Sequence, residues 1–465
     1  MLDRCSVRRY CEACFQKQLK IEALTEEITR LKAKLKYLER KQQEGYFGSS
    51  TPCSKVPFKA NAAPENQHKR GGAKKGHAGH GRQGFDESEA DRVVPLESEV
   101  GDRCPQCGGP LQDRGTQTRS VIDMPPLQTE KTLYVLPKQY CPRCRRAFQP
   151  HPPGVLPKTL FGNQLVATAA TMHYLHGVPM GRICEQVGVD LGTLIKIFHR
   201  LAKLFSSIPS RLIEQYRQAP VKHADETGWP NDGHHGYVWL FATTTISIFL
   251  FRETRSSIVP REVFGKDPLP GTLVVDRYHA YNKAPCLLQY CYAHLLRNVQ
   301  DLEKEFPENQ EVRNFVNILA ALLASAMNLR SLPISDAQFY KRAKGIKSQI
   351  QKAVHAAAQH LAVRRIQEIF HENEPRLYRW ADDRQIPADN NLVERDLRPS
   401  VIARKVSFGS QSEAGANTRS ILMTMLQSLK KQNSDPCTIL KTVLDQLAKN
   451  PTLDPFTLLF PTDTS

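Results

Sequence analysis

The spacing of apolar residues changes several times along the chain, and each change predicts a different element. Between residues 21 and 38 the apolar positions are Ile21, Leu24, Ile28, Leu31, Leu35 and Leu38, in steps of three and four with Glu, Lys and Arg between them. That heptad seam predicts a helix whose stripe either zips to a second copy or packs on its own chain. From 45 to 90 the pattern vanishes. His68–Gly84 (HKRGGAKKGHAGHGRQG) is basic and Gly-rich with no apolar face, so it reads as a tether, either a plain solvated linker or a cationic arm along phosphates. Helical spacing returns over 161–204. Within it, Met180–Leu201 divides into a helix, a tight turn at Gly188 and a second helix after Asp190. This is helix-turn-helix spacing, which an ordinary helical hairpin shares. Lys196, His199 and Arg200 fall along the second helix, with Lys196 and Arg200 the candidate DNA contacts.

From about Ala219 to Tyr292 the period drops to two and five strands are expected, in KHADETGW, YVWLFA, ISIFLF, TLVVDRYHAY and LLQYCYAH. The first three suggest an antiparallel meander, with Thr243 to Thr245 near a turn. The fourth would pair parallel to the first and set Asp276 beside Asp225. That layout is ribonuclease-H-like, a mixed sheet flanked by helices with carboxylates gathered at one edge. The most apolar stretch, Tyr237–Phe251, is broken by Thr and Ser and falls short of the ~20 residues that a membrane helix needs. Residues 294–382 have a helical pattern and read as an insertion, because 394 − 276 = 118 residues separate Asp276 from Glu394. After Pro387 and Asp389 a helix is expected to start with an Asp or Asn cap, to carry Glu394 and Arg398 on one face, and to stop at Pro399. Residues 414–448 predict one or two C-terminal helices packing by themselves.

A length of 465 residues suggests about three domains at roughly 150 residues each, and 40% hydrophobic content is enough for cores. The net charge of +17 favours a polyanionic partner, most simply nucleic acid. Asp225 and Asp276 on strands with Glu394 on a helix is the arrangement suited to two Mg²⁺ (or Mn²⁺) ions in phosphoryl transfer on nucleic acid. Such ions take oxygen ligands and keep positions open for phosphate and water. Cys104-Pro-Gln-Cys107 and Cys141-Pro-Arg-Cys144 are two knuckles, each able to aim two sulfurs at one tetrahedral Zn²⁺. The intervening Val121 to Leu136 is expected to add strands. The N-terminal MLDRCSVRRYCEAC lacks the apolar run of an export signal, so the 12 Cys are expected as thiols and metal ligands, with Cys5, Cys11 and Cys14 as free thiols in preference to a partial metal site. His294 and Arg297 in CYAHLLRN either approach the carboxylates or serve as a capping His and a surface Arg.

These stretches together resemble the transposases of insertion-sequence family sixty-six, the large subunit with a three-carboxylate catalytic domain. The likeness runs along nearly the whole chain. It includes the zipper, LERKQQEGYFGSSTPCSK, GGAKKGHAGHGR, both knuckles, HADETGW, VVDRYHAY, CYAHLLRN and, most specifically, DNNLVERDLRPSVIARKVSFGS. It implies that Asp225, Asp276 and Glu394 are the catalytic triad and metal ligands, and that Cys104, Cys107, Cys141 and Cys144 hold a structural Zn²⁺. Arg398 and Lys405 join Lys196 and Arg200 as expected DNA contacts. Two departures stand out: Tyr292 where the family commonly has Trp, and Ser407 to Ser410 where relatives often have a longer aromatic stretch.

The expected architecture is multidomain α+β: an N-terminal coiled coil, a zinc-ribbon-like module, a helical helix-turn-helix region and a ribonuclease-H-like α/β catalytic core with a helical insertion. The expected bounds are 1–44 for the dimerisation helix, 45–95 for the basic linker, 96–155 for the zinc module and 156–215 for the helical DNA-binding region. The core would span 216–293 and 386–412, interrupted by the insertion at 294–385 and followed by C-terminal helices at 413–465. The resemblance implies a cytoplasmic enzyme, nucleoid-associated when bound to DNA. It would cut insertion-sequence ends at terminal inverted repeats and join them to target DNA by two-Mg²⁺ phosphoryl transfer, as a homo-oligomer and with accessory transposition proteins as further partners. Two other readings are an inactive element-end DNA-binding protein and a nuclease on the same fold.

Overall fold

The computed structural model describes residues 86–95, 103–110, 118, 128–433 and 435–461, with scattered positions between 17 and 32. Ile21, Leu24 and Ile28 of the heptad seam are helical and exposed, whereas Leu31, Leu35, Leu38 and the Gly-rich arm lie outside the described residues. The chain divides into two compact units, Lys59–Gln128 and the remainder. In the smaller unit, the first knuckle is closed by Cys104 N–H donating to Gly109 O (2.8 Å) and Gly108 N–H to Cys104 O (2.9 Å). Gly108 takes a φ of 73° there, which a residue without Cβ adopts freely. In the larger unit, the second knuckle is the turn of a hairpin, β1 (Gln139–Cys141) with β2 (Arg146–Phe148), pairing Cys141 with Arg146. Of Val121 to Leu136, where strands were expected, residues 128–136 are irregular and 121–127 lie outside the described residues.

Four helices follow: α1 (Asn163–Ala170), continued by a π-turn over Thr171–Leu175, then α2 (Met180–Val187), α3 (Leu191–Leu204) and α4 (Ile208–Gln218). The predicted turn is present. Gly188 ends α2 in the left-handed conformation, and the Asp190 carboxylate caps α3 by accepting from Thr193 N–H at 2.9 Å.

The central sheet has the order β5-β4-β3-β6-β7, with β3 (Val221–Gly228), β4 (Tyr237–Ala242), β5 (Ser247–Arg252), β6 (Thr272–Val275) and β7 (Leu287–Tyr290). As expected, β3, β4 and β5 form an antiparallel meander, and β6 joins β3 in parallel. Trp239, Leu240, Phe241, Ala242, Ile248 and Phe249 are all inaccessible, because helices cover both faces of the sheet. A short α5 (Ile258–Phe264) links β5 to β6. The helical insertion follows β7 as α6 (Tyr292–Glu305), α7 (Gln310–Leu329), α8 (Asp336–His355), α9 (Leu361–Glu372) and α10 (Arg379–Asp382). By length and composition α7 alone among the described helices is apolar enough to span a membrane. Its stripe of Val312, Val316, Leu319, Leu323, Ala326 and Leu329 is buried within the protein, as in a core helix.

Two expectations are corrected. Pro399 does not end its helix: α11 runs Asn391–Ser407 straight through it. Val393 and Leu397 before the proline and Ser400, Val401 and Ala403 after it are all buried. The packing on both sides therefore outweighs the lost hydrogen bond, and the freed carbonyl falls at the exposed Arg395. Nor do the C-terminal helices pack by themselves. Helix α12 (Glu413–Gln432) lies along β5, ahead of α13 (Pro436–Lys449) and α14 (Pro455–Leu459). Ser420, Thr424 and Ser428, four residues apart and so on one face of α12, bond the outer backbone groups of that edge strand. Ser420 donates to Phe249 O, Thr424 accepts from Phe249 N–H at 2.9 Å, and Ser428 accepts from Ser247 N–H at 3.0 Å and donates to Ser247 O at 3.2 Å. The helix thus closes an edge that would otherwise present unpaired backbone.

Thr424→Val keeps the shape but leaves the buried Phe249 N–H without an acceptor. The expected cost is about 1–3 kcal/mol, read as a lower urea midpoint for the full chain. An unchanged midpoint would refute this role for the hydroxyl ladder.

Candidate active site

Parallel pairing sets the first two carboxylates side by side. His223 on β3 is in register with Val274 on β6, so two residues further along each strand stand Asp225 and, just past the end of β6, Asp276. Equal steps from one pair put both on the same face. Asp276 Oδ1 accepts from Tyr278 N–H (2.9 Å), which fixes the turn after β6, and Asp225 Oδ1 accepts from Glu226 N–H (2.9 Å). Burial, then the negative charges of Glu226, Asp276 and Glu394, push the Asp225 carboxyl well above the usual carboxylate range. Glu394, far away in sequence, is thus near enough for its charge to act on Asp225.

Glu394 is delivered by the first turn of α11, and Asn390 sets where that turn lies. Asn390 Oδ1 accepts from His223 Nδ1 (2.8 Å), and its Nδ2 donates to Ala224 O (2.9 Å). Its backbone N–H donates to Cys291 Sγ (3.2 Å) at the start of α6. One buried amide therefore ties the α11 N-terminus to β3 next to Asp225 and to the β7–α6 junction. Burial lowers the His223 pKa to about 4, so its ring is neutral and its Nδ1 proton is available to Asn390. Further along α11, Arg404 donates to Thr227 Oγ1 (3.3 Å) and to Gly228 O, pinning the helix to the end of β3.

The Glu394 carboxylate is turned toward α6. Its Oε1 lies 3.6 Å from Arg297 Nη2 and 3.8 Å from His294 Nδ1. Both distances exceed a hydrogen bond, and Glu394 Oε1 and His294 Nδ1 are each buried with no hydrogen-bond partner. Burial, then Arg297, lower the pKa of His294, and Glu394 works against them. Among the described residues, one set of three His, Cys, Asp or Glu donors lies within 4.8 Å, and it is Cys291, His294 and Glu394. The three predicted carboxylates share a field without being drawn that close together. A part-buried group of acids held apart with its charges unbalanced fits a divalent cation at Asp225, Asp276 and Glu394.

A fourth acid was missed. Glu226 follows Asp225 in HADETGW, and its side chain is almost wholly buried. It accepts from Arg255 Nε (2.8 Å) and Nη2 (2.6 Å) and from the Tyr281 hydroxyl (2.5 Å). Burial, then Asp276, raise its pKa, and Tyr281 and Arg255 oppose them. Arg255 also stacks over Tyr278, 4.0 Å from the ring centroid, so this network braces the turn that carries Asp276. The adjacent Asp-Glu pair was the only sequence signal.

The predicted DNA contacts lie at the protein surface. Lys196 is exposed on α3, while Arg398 and Lys405 are exposed on α11. Arg200 is exposed too, with its guanidinium donating to Lys158 O (2.8 Å) and Pro157 O, and His199 Nδ1 bonds Thr418 Oγ1 (2.6 Å) on α12. The two departures from the family pattern are structural positions. Tyr292 is buried against Trp380 and donates to Leu377 O (2.6 Å). In Ser407 to Ser410, a Cβ on Gly409 would lie 2.1 Å from Pro230 O, and Ser410 N–H donates to that same carbonyl (3.0 Å). At the knuckles, backbone amides lower the thiol pKa of Cys104 (Gln106, then Cys107) and of Cys141 (Cys144), as a thiolate ligand requires.

The model for the IS66 transposase family matches residues 158–418, a span holding all three carboxylates. The model for the zinc-finger binding domain of IS66 transposases matches 102–145, which holds both knuckles. Two proteins of Sinorhizobium fredii are similar. The uncharacterized protein y4jD is 22% identical over 403 residues, 78% of this chain and 77% of its own. The uncharacterized protein y4qI is 24% identical over 331 residues, 62% of this chain and 59% of its own.

Asn390→Ala should leave the His223 N–H and the Ala224 carbonyl buried and unpaired, lowering stability by about 1–3 kcal/mol. Urea denaturation of the full chain measures this, and a wild-type midpoint would show that the amide holds nothing in place.

Proposed function

The chain belongs to the IS66 transposase family, and on that premise we propose that it cuts DNA at the element's ends and joins the freed 3′-OH to target DNA, with Asp225, Asp276 and Glu394 as the catalytic carboxylates. The observation that carries this reading is their convergence: two Asp at equal steps beyond one register pair of parallel strands, and a Glu on the helix turn that Asn390 ties to β3 beside Asp225. Two Mg²⁺ or Mn²⁺ ions bound there would make water or a 3′-OH a better nucleophile and stabilise the attacking and leaving oxygens of an in-line displacement. The protein's own part is positioning. The turn braced by Tyr278 fixes Asp276, the sheet fixes Asp225, and Asn390 fixes the origin of Glu394.

Binding would be shared among other parts of the chain. Lys196, Arg200, Arg398 and Lys405 are the proposed phosphate contacts, Arg200 with two carbonyl bonds already made. Cys104, Cys107, Cys141 and Cys144 are proposed to hold one structural Zn²⁺, supported by the zinc-finger family match and the knuckle spacing. The N-terminal seam is proposed to pair two chains, and accessory proteins to take part.

Asp276→Asn should bind a labelled element-end duplex as wild type does, while Mg²⁺-dependent nicking and joining fall by a factor of about 10³ or more. Joining at wild-type rate would remove Asp276 from the machinery, and cutting without joining by the wild type would identify a nuclease on this fold. Cys104→Ser should carry one zinc fewer per chain than wild type by elemental analysis. An equal content would refute the four-thiolate site.

A further inference from the structure

We infer that Cys291, His294 and Glu394 form a second, mixed-donor site for a borderline divalent cation, with Zn²⁺ the best fit. Their donor atoms lie within 4.8 Å of one another. Donors around a tetrahedral Zn²⁺ stand about 3.5 Å apart, given Zn–S near 2.3 Å and Zn–N or Zn–O near 2.0–2.1 Å. The measured 3.8 Å from His294 Nδ1 to Glu394 Oε1 is therefore close to what one shared ion requires. The second observation is independent of that distance. These same two atoms are buried and have no hydrogen-bond partner, which is costly unless something satisfies both.

Burial pushes the Cys291 thiol up to about 12 and backbone amides work against that shift, so a bound ion would itself have to displace the proton. Cys291 is fully buried at the cap position of α6, and Asn390 N–H donates to its Sγ at 3.2 Å, with the amides of His294 and Ala293 also acting on it. Outer amide donors of this kind orient and stabilise a bound thiolate. Cys291 and His294 are three residues apart on the first turn of one helix, hence neighbours on its surface. Binding would exchange the thiol proton, released to solvent, for a Zn–S bond, leaving a fourth position for water. The mixed S/N/O set selects Zn²⁺ over Mg²⁺, which disfavours sulfur.

Glu394 belongs to both donor sets. Where the carboxylate reading under Proposed function holds, a Zn²⁺ ion here withdraws Glu394 from Asp225 and Asp276, so the borderline metal and the hard one compete for a single side chain.

The test counts bound zinc in the full chain after dialysis against buffered micromolar Zn²⁺. Cys291→Ala and His294→Gln should each hold one ion fewer than wild type, and Asp225→Asn should hold as many as wild type. Should Cys291→Ala lose its circular-dichroism signature, His294→Gln decides, because its side chain is part-exposed. Equal zinc in wild type and His294→Gln overturns the proposal, as does loss of the ion in Asp225→Asn with retention in His294→Gln, which would place it on the aspartates. These counts do not depend on DNA cleavage, so failure here and failure of the transposase reading remain distinct.

Discussion

Asp225, Glu226, Asp276 and Glu394 bring like charges to one end of a sheet, where burial leaves water little room to screen them. Left alone, such a group would hold protons or push the strands apart. The surrounding structure answers each acid differently. Glu226 receives a full ion pair from Arg255 and a phenol from Tyr281. Glu394 has Arg297 and His294 nearby without a true bond to either. Among the described residues Asp225 has one backbone amide and no paired cation, and its carboxyl is raised well out of its usual range. The charge deficit therefore falls on the predicted ligands, while the neighbouring acid on the strand is neutralised in place.

Holding that arrangement requires α11 to cross β3 at a fixed angle and height, and the attachment is made at both ends by polar groups. Asn390 fixes the N-terminus through His223, Ala224 and Cys291, and Arg404 fixes the far end at Thr227 and Gly228. Between them, Asp396 bonds Ser247 Oγ (3.2 Å) and pairs with Lys431 (2.5 Å), joining α11 to β5 and α12. Apolar packing alone would let a helix slide by a turn. Directional bonds to backbone and buried side chains do not, and they also explain how a helix survives Pro399.

Much of the sheet was readable in the sequence because its signals are local. Runs such as YVWLFA and TLVVDRYHAY announce strands, and a short turn between like strands dictates antiparallel pairing. Gly188 and Asp190 announced the hairpin for the same reason. What escaped was long-range. Ser420, Thr424 and Ser428 look like ordinary polar positions on a C-terminal helix until β5 supplies the backbone groups they bond. Pro399 reads as a stop until burial on both sides is known. Asn390 reads as a helix cap, yet its side chain is spent on β3 and none is used to cap α11.

The same division runs through the site. Asp225 and Asp276 were found because each stands in a strand with a legible context, and parallel register then brings them level. Glu226 was passed over because its neighbour claimed the strand's chemistry, although alternation sends the two side chains to opposite faces. His294 and Arg297 could be named but not assigned, since their partner is a hundred residues away in sequence. Two of the acids are thus fixed by the sheet itself, and the third is set on a helix tied to a separate insertion. The insertion meets that helix where Asn390 N–H bonds Cys291 at the start of α6, while the Asn390 side chain holds the same turn to β3 beside Asp225. Glu394, whose Oε1 lacks a hydrogen bond, therefore stands where the sheet and the insertion are tied together.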